Sequence, residues 1–224
     1  MKKENNCLTK CSIMYTADEI LDKVNEYIGN LSYGRRPQSL YEPIRYVLSL
    51  GGKRIRPTLM LLSYNLFRDD PETILSPACA LETYHNYTLL HDDLMDDAPL
   101  RRGQQTVHVR WDANTAILSG DSMLVLAFER MQQCDDRHLR DVLRLFTVTA
   151  LEIGEGQQYD MEFENRNDVT EAELQPLLRP LHGDWCVFCL LIHCIIGSYF
   201  VYLSIKNSII FLPWHTNPRI PMSM

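Results

Sequence analysis

The stretch His85 to Gly103, HNYTLLHDDLMDDAPLRRG, restricts this chain more than any other, because it sets four carboxylates into six residues of an otherwise apolar segment. Tyr87, Leu89, Leu90, Leu94 and Met95 give it the content of a helix that walls a core, and Pro99 biases Ala98 out of helical geometry and ends it. Each helical residue turns about 100° and rises about 1.5 Å, so Asp92 and Asp96 share a face, and His85 lies on the same stripe two turns earlier. Like charges one turn apart destabilise a helix. Two readings relieve the conflict: a solvated acidic helix end, or a divalent cation held by the stripe. The apolar flanks favour the second, with the acidic end at a cavity. Carboxylates one turn apart suit Mg2+, which takes one or two of them and fills its remaining positions with water and substrate phosphate. A diphosphate is the expected substrate class.

A basic counterpart lies upstream. Residues 51–57 read GGKRIRP. The two glycines let the backbone turn sharply and approach a ligand, and Pro57 suits the first position of the helix that follows. Lys53, Arg54 and Arg56 are then presented together at a loop-to-helix junction. Lysine acts on phosphate as a point charge and arginine as a fork, so the mixture can hold two phosphoryl groups. A solvated basic turn is the plainer reading of three loop cations taken alone; beside the acidic stripe the phosphate reading prevails.

The remaining pattern is helical. Ile20, Leu21, Val24, Tyr27 and Ile28 line one side of a first helix, with Thr16 or Asp18 as its cap. A second helix spans 40–50, and a third, 58–67, is apolar nearly all round and should be buried. The acidic helix runs from Pro77 to about Ala98. The next, capped by Asn114 or Asp112, offers Ile117, Leu118, Leu124, Val125 and Phe128 as core residues, while His108 and Trp111 read as packing and loop residues. A last long helix covers 137–164, with Leu143, Phe146, Leu151, Ile153 and Met161 apolar and with Gln157 and Asp160 on one face. Its glycines, Gly154 and Gly156, cost helix stability of the order of 1 kcal/mol each, which close approach by another helix or a ligand would explain. No strand-like alternation of useful length precedes residue 180, so the expected fold is all-α, a helical bundle around a central cavity.

Composition narrows the function. A net charge of -7 argues against general nucleic-acid binding, whose affinity comes from cationic contacts to phosphates. The amino terminus, MKKENNCLTKCSIMY, lacks the continuous apolar run of a secretory signal, and seven scattered cysteines read as free thiols, so a cytoplasmic body is expected.

Taken together, GGKRIRP at 51–57, HDDLMDDAPLRRG at 91–103 and GQQYD at 156–160 resemble, in order and separation, the trans-isoprenyl diphosphate synthases, the farnesyl and geranylgeranyl diphosphate synthase family. The resemblance covers residues 1–180, about four fifths of the chain. It implies a head-to-tail prenyltransferase that joins isopentenyl diphosphate to an allylic diphosphate (dimethylallyl, geranyl or farnesyl) with Mg2+. By the same resemblance, Lys53, Arg56, His85 and Arg102 hold isopentenyl diphosphate. Asp92 and Asp96 bind Mg2+ on the allylic diphosphate, which Arg101 also contacts, and Gln157 with Asp160 faces the allylic substrate from the opposite helix. A homodimer, or association with a complete synthase subunit, is the implied assembly. The growing chain would run from Asp92 back along Thr88 and Tyr84 with Tyr87 beside it, each turn adding about 5.4 Å. Tyr87 and Thr88 look like the short-chain type, giving C15 or C20 products; the other reading is that both tyrosines simply pack the core.

After residue 180 the composition breaks. Residues 181–224 hold one acidic residue, Asp184, whereas 28 of the 29 lie before it. The lysine-threonine motif and second aspartate-rich motif that the resemblance leads one to expect are not there: no DDxxD pattern follows residue 97, and Lys206 is the one lysine after Lys53. The expectation is weak or absent synthase activity for this chain alone, with a catalytically silent partner subunit as the alternative. The run 187–205 has 19 residues without Asp, Glu, Lys or Arg, a length that allows a membrane anchor. His193 in mid-run and the β-branched and aromatic content favour instead a truncated, spliced or frame-shifted end whose apolar character is incidental. The zinc-like spacing of Cys186, Cys189, His193 and Cys194 is read as incidental too.

Overall fold

The computed structural model describes residues 14–31, 36–163 and 166–170. The tail 181–224, with its proposed domain boundary, its 187–205 run and its cysteine cluster, lies outside the described residues. Seven α-helices are present among those described: α1 (Ala17–Gly29), α2 (Gln38–Ser49), α3 (Ile55–Asn65), α4 (Leu75–Met95), α5 (Val107–Arg110), α6 (Ala113–Met131) and α7 (Leu139–Phe163). A short 3-10 turn, Pro71–Ile74, leads into α4. The all-α expectation holds with one small exception. A two-stranded antiparallel ribbon, β1 (Leu100–Arg101) and β2 (Gln104–Gln105), pairs Leu100 with Gln105 and Arg101 with Gln104. Two-residue strands are too short to leave an alternating signature, so periodicity could not show them.

Local chemistry sets the helix ends. Thr16 begins α1 through a reciprocal box: its hydroxyl accepts from the Glu19 backbone N–H at 3.3 Å, and the Glu19 carboxylate accepts from the Thr16 N–H at 2.8 Å. Asp112, not Asn114, caps α6 by accepting from the Thr115 N–H at 2.8 Å. Gly51, in the left-handed region at φ 76°, carries the chain out of α2. One expectation needs correction here. Pro57 sits at the third position of α3 rather than the first, because the helix already starts at Ile55. The third position is equally free of an intrahelical acceptor for the missing N–H, so the ring is tolerated there.

The centre of the molecule is α4. Its first half, Pro77 through Tyr84, is buried on every side between α3 and α6; Thr83 donates within the helix to the Cys79 carbonyl at 2.9 Å, and Asn86, just beyond, to the Glu82 carbonyl at 2.8 Å. Around it pack Ile20 and Val24 of α1, Ile44 of α2, Met60 and Leu61 of α3, Met123 and Met131 of α6, and Phe146 of α7. Ser119 of α6 ties that helix to α2 by donating to the Leu40 carbonyl at 3.0 Å.

The outer faces of α6 and α7 depart from the sequence reading. Ile117, Leu118 and Val125 are exposed rather than core residues, as are Leu151 and Met161 of α7; the core face of α6 is instead Ala116, Gly120, Met123 and Ala127. Nothing among the described residues lies within 4 Å of a Cβ added at Gly154, so no described helix approaches closely there. Gly154 instead lines an open hollow of about 770 Å³ along α7, with Leu151 and Tyr159. No helix among the described residues is long and apolar enough to cross a membrane.

Candidate active site

Two chain reversals bring the site together at the C-terminal end of α4. Asp96 closes the helix, Asp97 follows in the left-handed region, and the ribbon turns at Arg102 and Gly103, both also left-handed. Thr106 pins the ribbon's base by donating to the Ala98 carbonyl at 2.7 Å, and the Tyr46 hydroxyl of α2 holds its far strand through the Gln105 carbonyl at 2.7 Å. Residues 98–106 therefore form a closed loop that carries Arg101 and Arg102 back beside the acidic end.

The acidic residues are not equivalent. Asp93 is buried and accepts from the Arg101 Nε at 2.6 Å, which holds that guanidinium further above its usual range, while the second Asp93 oxygen, Oδ1, is buried without a hydrogen-bond partner. Asp92 is half-buried and Asp96 exposed, and neither side chain has a hydrogen bond or salt bridge among the described residues. Burial first, and then the Asp96 charge, raises the Asp92 carboxyl above its ordinary range. This unrelieved pair is what a hard cation would neutralise. No three His, Cys, Asp or Glu side chains among the described residues converge as a ready-made cage. The donor set fits a cation such as Mg2+ that accepts two carboxylates and completes its shell from water and a substrate's phosphate oxygens.

The basic loop reaches the ribbon. Gly52, at φ 145°, leaves so little room that an added Cβ would stand 2.9 Å from the Arg102 Nη1. Lys53 is exposed and Arg56 half-buried. Arg54 is the correction: the sequence grouped it with the presented cations, whereas its side chain is 3% exposed and paired with Glu82 at 2.8 Å. His85, one turn beyond Glu82, has its imidazole lowered to about 4, first by burial and then by the Arg56 charge, with Arg101 and Arg102 acting in the same direction. It is therefore a neutral hydrogen-bonding group at pH 7 among three guanidinium groups.

The remaining candidates lie on two other faces. Tyr87 is half-buried, edge-on to His91 at 4.8 Å, and its hydroxyl is raised by burial and then by the Asp121 and Asp92 charges. Tyr84 is buried, donates to the Ala150 carbonyl of α7 at 3.3 Å and meets Phe146 edge-on. Thr88 spends its hydroxyl on the His85 carbonyl at 2.8 Å. Gln157 is half-buried and Asp160 exposed on the last turns of α7, and among the described residues no hydrogen bond or ion pair joins either to the acidic end of α4. His108 and Trp111 pack as expected, His108 half-buried 3.6 Å from Asp97 and Trp111 edge-on to Tyr46. Two features escaped the sequence reading: the Asp93 clamp on Arg101 and the Arg54–Glu82 pair. A lone acid in the apolar run ACALETY was the available signal for the second.

The chain is 42% identical over 163 residues to a short chain isoprenyl diphosphate synthase of Methanocaldococcus jannaschii, covering 72% of this chain and 49% of that protein. It superposes on a geranylgeranyl pyrophosphate synthase crystal structure with a TM-score of 0.81 at 37% identity, over 87% of this chain and 60% of that one. The geranylgeranyl pyrophosphate synthetase of the archaeon Geoglobus acetivorans gives a TM-score of 0.78 at 34% identity, over 85% and 64%. The chain spans about half the length of the curated relatives it matches. The polyprenyl synthetase family matches residues 37–180, a stretch that contains the basic loop, the acidic helix and the ribbon, and the chain belongs to that family.

Proposed function

We propose that this chain carries the diphosphate-holding half of a head-to-tail prenyltransferase site, in which isopentenyl diphosphate and an allylic diphosphate are condensed to a C15 or C20 product. The observation that carries the reading is the meeting of Gly52 with the Arg102 guanidinium, which sets the basic loop against the ribbon that also bears Arg101, bonded to Asp93 and acting by its charge on Asp92. Relatives named as short-chain isoprenyl and geranylgeranyl synthases support the substrate class.

In this reading Lys53, Arg56, Arg102 and neutral His85 grip isopentenyl diphosphate, His85 as a hydrogen-bond partner rather than a charge. Asp92 and Asp96 would hold Mg2+, with Arg101 aimed at the same allylic diphosphate and Gln157 and Asp160 facing that substrate. The ion supplies charge neutralisation for the leaving diphosphate when bound. Arg101, steadied by Asp93, adds a fixed guanidinium where negative charge grows as the allylic carbon–oxygen bond breaks. The allylic cation is then attacked by the isopentenyl double bond, and loss of a proton completes the five-carbon extension; the apolar side chains beside Tyr87 keep water from the cation. Turnover by this chain alone is expected to be low. Association with a second copy or with a longer synthase is supported by the exposed Ile117, Leu118 and Val125.

Calorimetric titration of geranyl diphosphate with and without Mg2+ tests the reading. Binding should depend on Mg2+, and Asp92→Ala should abolish that dependence; Mg2+-independent binding, or an Asp92→Ala protein that binds like its parent, would overturn it.

A further inference from the structure

We infer that Arg54 and Glu82 form an internal clasp that fixes the shape of the basic loop, making both of them positioning residues for isopentenyl diphosphate; the substrate in this inference rests on the function proposed above. Neither side chain is presented at the surface, each being 3% exposed, and Glu82 meets the site through its charge on His85, which it raises against the pull of the arginines. One guanidinium instead connects four elements. Its Nη1 donates to the Glu82 Oε1 of α4 at 2.8 Å, its Nη2 to the Leu48 carbonyl of α2 at 2.6 Å and its Nε to the Asn25 Oδ1 of α1 at 3.4 Å, while its own backbone opens α3. Glu82 is held in turn by Asn86, whose Nδ2 donates to Oε1 at 3.2 Å. The Leu48 carbonyl belongs to the last turn of α2, where intrahelical donors run out and a cation complements the helix dipole.

The backbone explains why such an anchor is needed. Arg54 has φ 46°, a left-handed conformation that an L-residue adopts only against a steric penalty, and Gly51 and Gly52 precede it at φ 76° and φ 145°. Three of the four residues 51–54 thus have positive φ, and the fourth, Lys53, is exposed. Without the inward pull on Arg54, the loop has no reason to keep this shape. Lys53 and Arg56 would then move relative to His85, and Gly52 would lose its place against Arg102. Stability is a poor explanation of the pair, because desolvating two charges commonly offsets their attraction, and apolar replacements of similar volume are often neutral or stabilising. A fixed loop geometry is the better one.

The test uses the full chain with Glu82→Gln, Arg54→Lys and the double variant Arg54→Met/Glu82→Leu. Three quantities are read: affinity for isopentenyl diphosphate, affinity for geranyl diphosphate with Mg2+, and amide hydrogen exchange across residues 50–56, each beside a thermal melt. Glu82→Gln should weaken isopentenyl diphosphate binding roughly tenfold or more, the cost of losing a charge-assisted hydrogen bond, and should speed loop exchange. Geranyl diphosphate affinity should be unchanged. The double variant should melt no lower than the parent yet bind isopentenyl diphosphate as poorly as Glu82→Gln, an outcome a purely structural pair would not give. Normal affinity and normal loop exchange in any variant that folds would overturn the inference. If the parent itself binds no isopentenyl diphosphate, the proposed function fails, and loop exchange alone decides the clasp: faster exchange in the variants upholds it and unchanged exchange refutes it.

Discussion

His85 shows how far a residue's chemistry is set by segments distant from it in sequence. Its place on the stripe was legible from spacing alone, but its neutrality was not, since burial and the charges of Arg56, Arg101 and Arg102 come together only in the fold. The folded imidazole takes its proton near pH 4 and the unfolded one near pH 6.5. Between these values the unfolded chain binds more protons, so His85 subtracts stability as the pH falls through that window and contributes no such loss above it. Replacing His85 with Gln should therefore flatten the acid side of the stability profile. Urea midpoints at about pH 7 and pH 4.5 should lie closer together in His85→Gln than in the parent; equal separations would show that His85 titrates normally. Arg54 gives the opposite lesson. Three adjacent cations are alike by charge, and only Glu82, an acid with nowhere to be solvated inside the buried half of α4, distinguishes the one that turns inward.

At the scale of elements, α4 joins a structural role to the substrate-facing one proposed for it, and in that reading its two tyrosines divide them. Tyr84 is locked by its hydrogen bond to Ala150 and its edge contact with Phe146, which in turn meets Phe128 edge-on at 4.8 Å, so it joins α4 to α6 and α7. Tyr87 is half-buried and close enough to feel the Asp92 charge, so under the function proposed above it is the one of the pair placed to limit an allylic chain growing from the acidic end. Tyr84→Ala should lower unfolding free energy by about 3 kcal/mol or more, through the cavity it leaves, without changing ligand preference. Tyr87→Ala should cost less stability and shift binding toward longer allylic diphosphates, read as the ratio of farnesyl to geranyl diphosphate affinity with Mg2+. An unchanged ratio would reduce Tyr87 to packing. The caps at Thr16 and Asp112 were readable because they are local side-chain-to-backbone bonds, and long helices were readable from their period. The ribbon at 100–105 was not, because two paired residues leave no pattern and its shape depends on Thr106 and Tyr46.

For the molecule as a whole, the informative surface is the outer face of α6. That helix carries large apolar residues on its outer as well as its inner side, and apolar helix faces are normally covered. Its inner face is covered by α4, yet Ile117 is 43%, Leu118 59% and Val125 67% exposed. The sequence reading placed these three in the core, and the fold leaves them outside, because an apolar face alone does not say what lies against it. Leu118 and Val125 are seven residues apart, two turns on the same side, with Asp121 between them in sequence. A self-complementary contact centred there, of the usual order of 800 Å² per partner, would cover both residues in a symmetric pair. Leu118→Glu with Val125→Glu would oppose four new carboxylates across that contact while leaving the α4-facing residues untouched. Light scattering after gel filtration should give twice the chain mass for the parent and the single-chain mass for the double variant, with helical circular dichroism alike. A parent that runs as a single chain at every concentration, and that does not co-elute with a longer synthase of the family, would leave this face without a protein partner and remove the association.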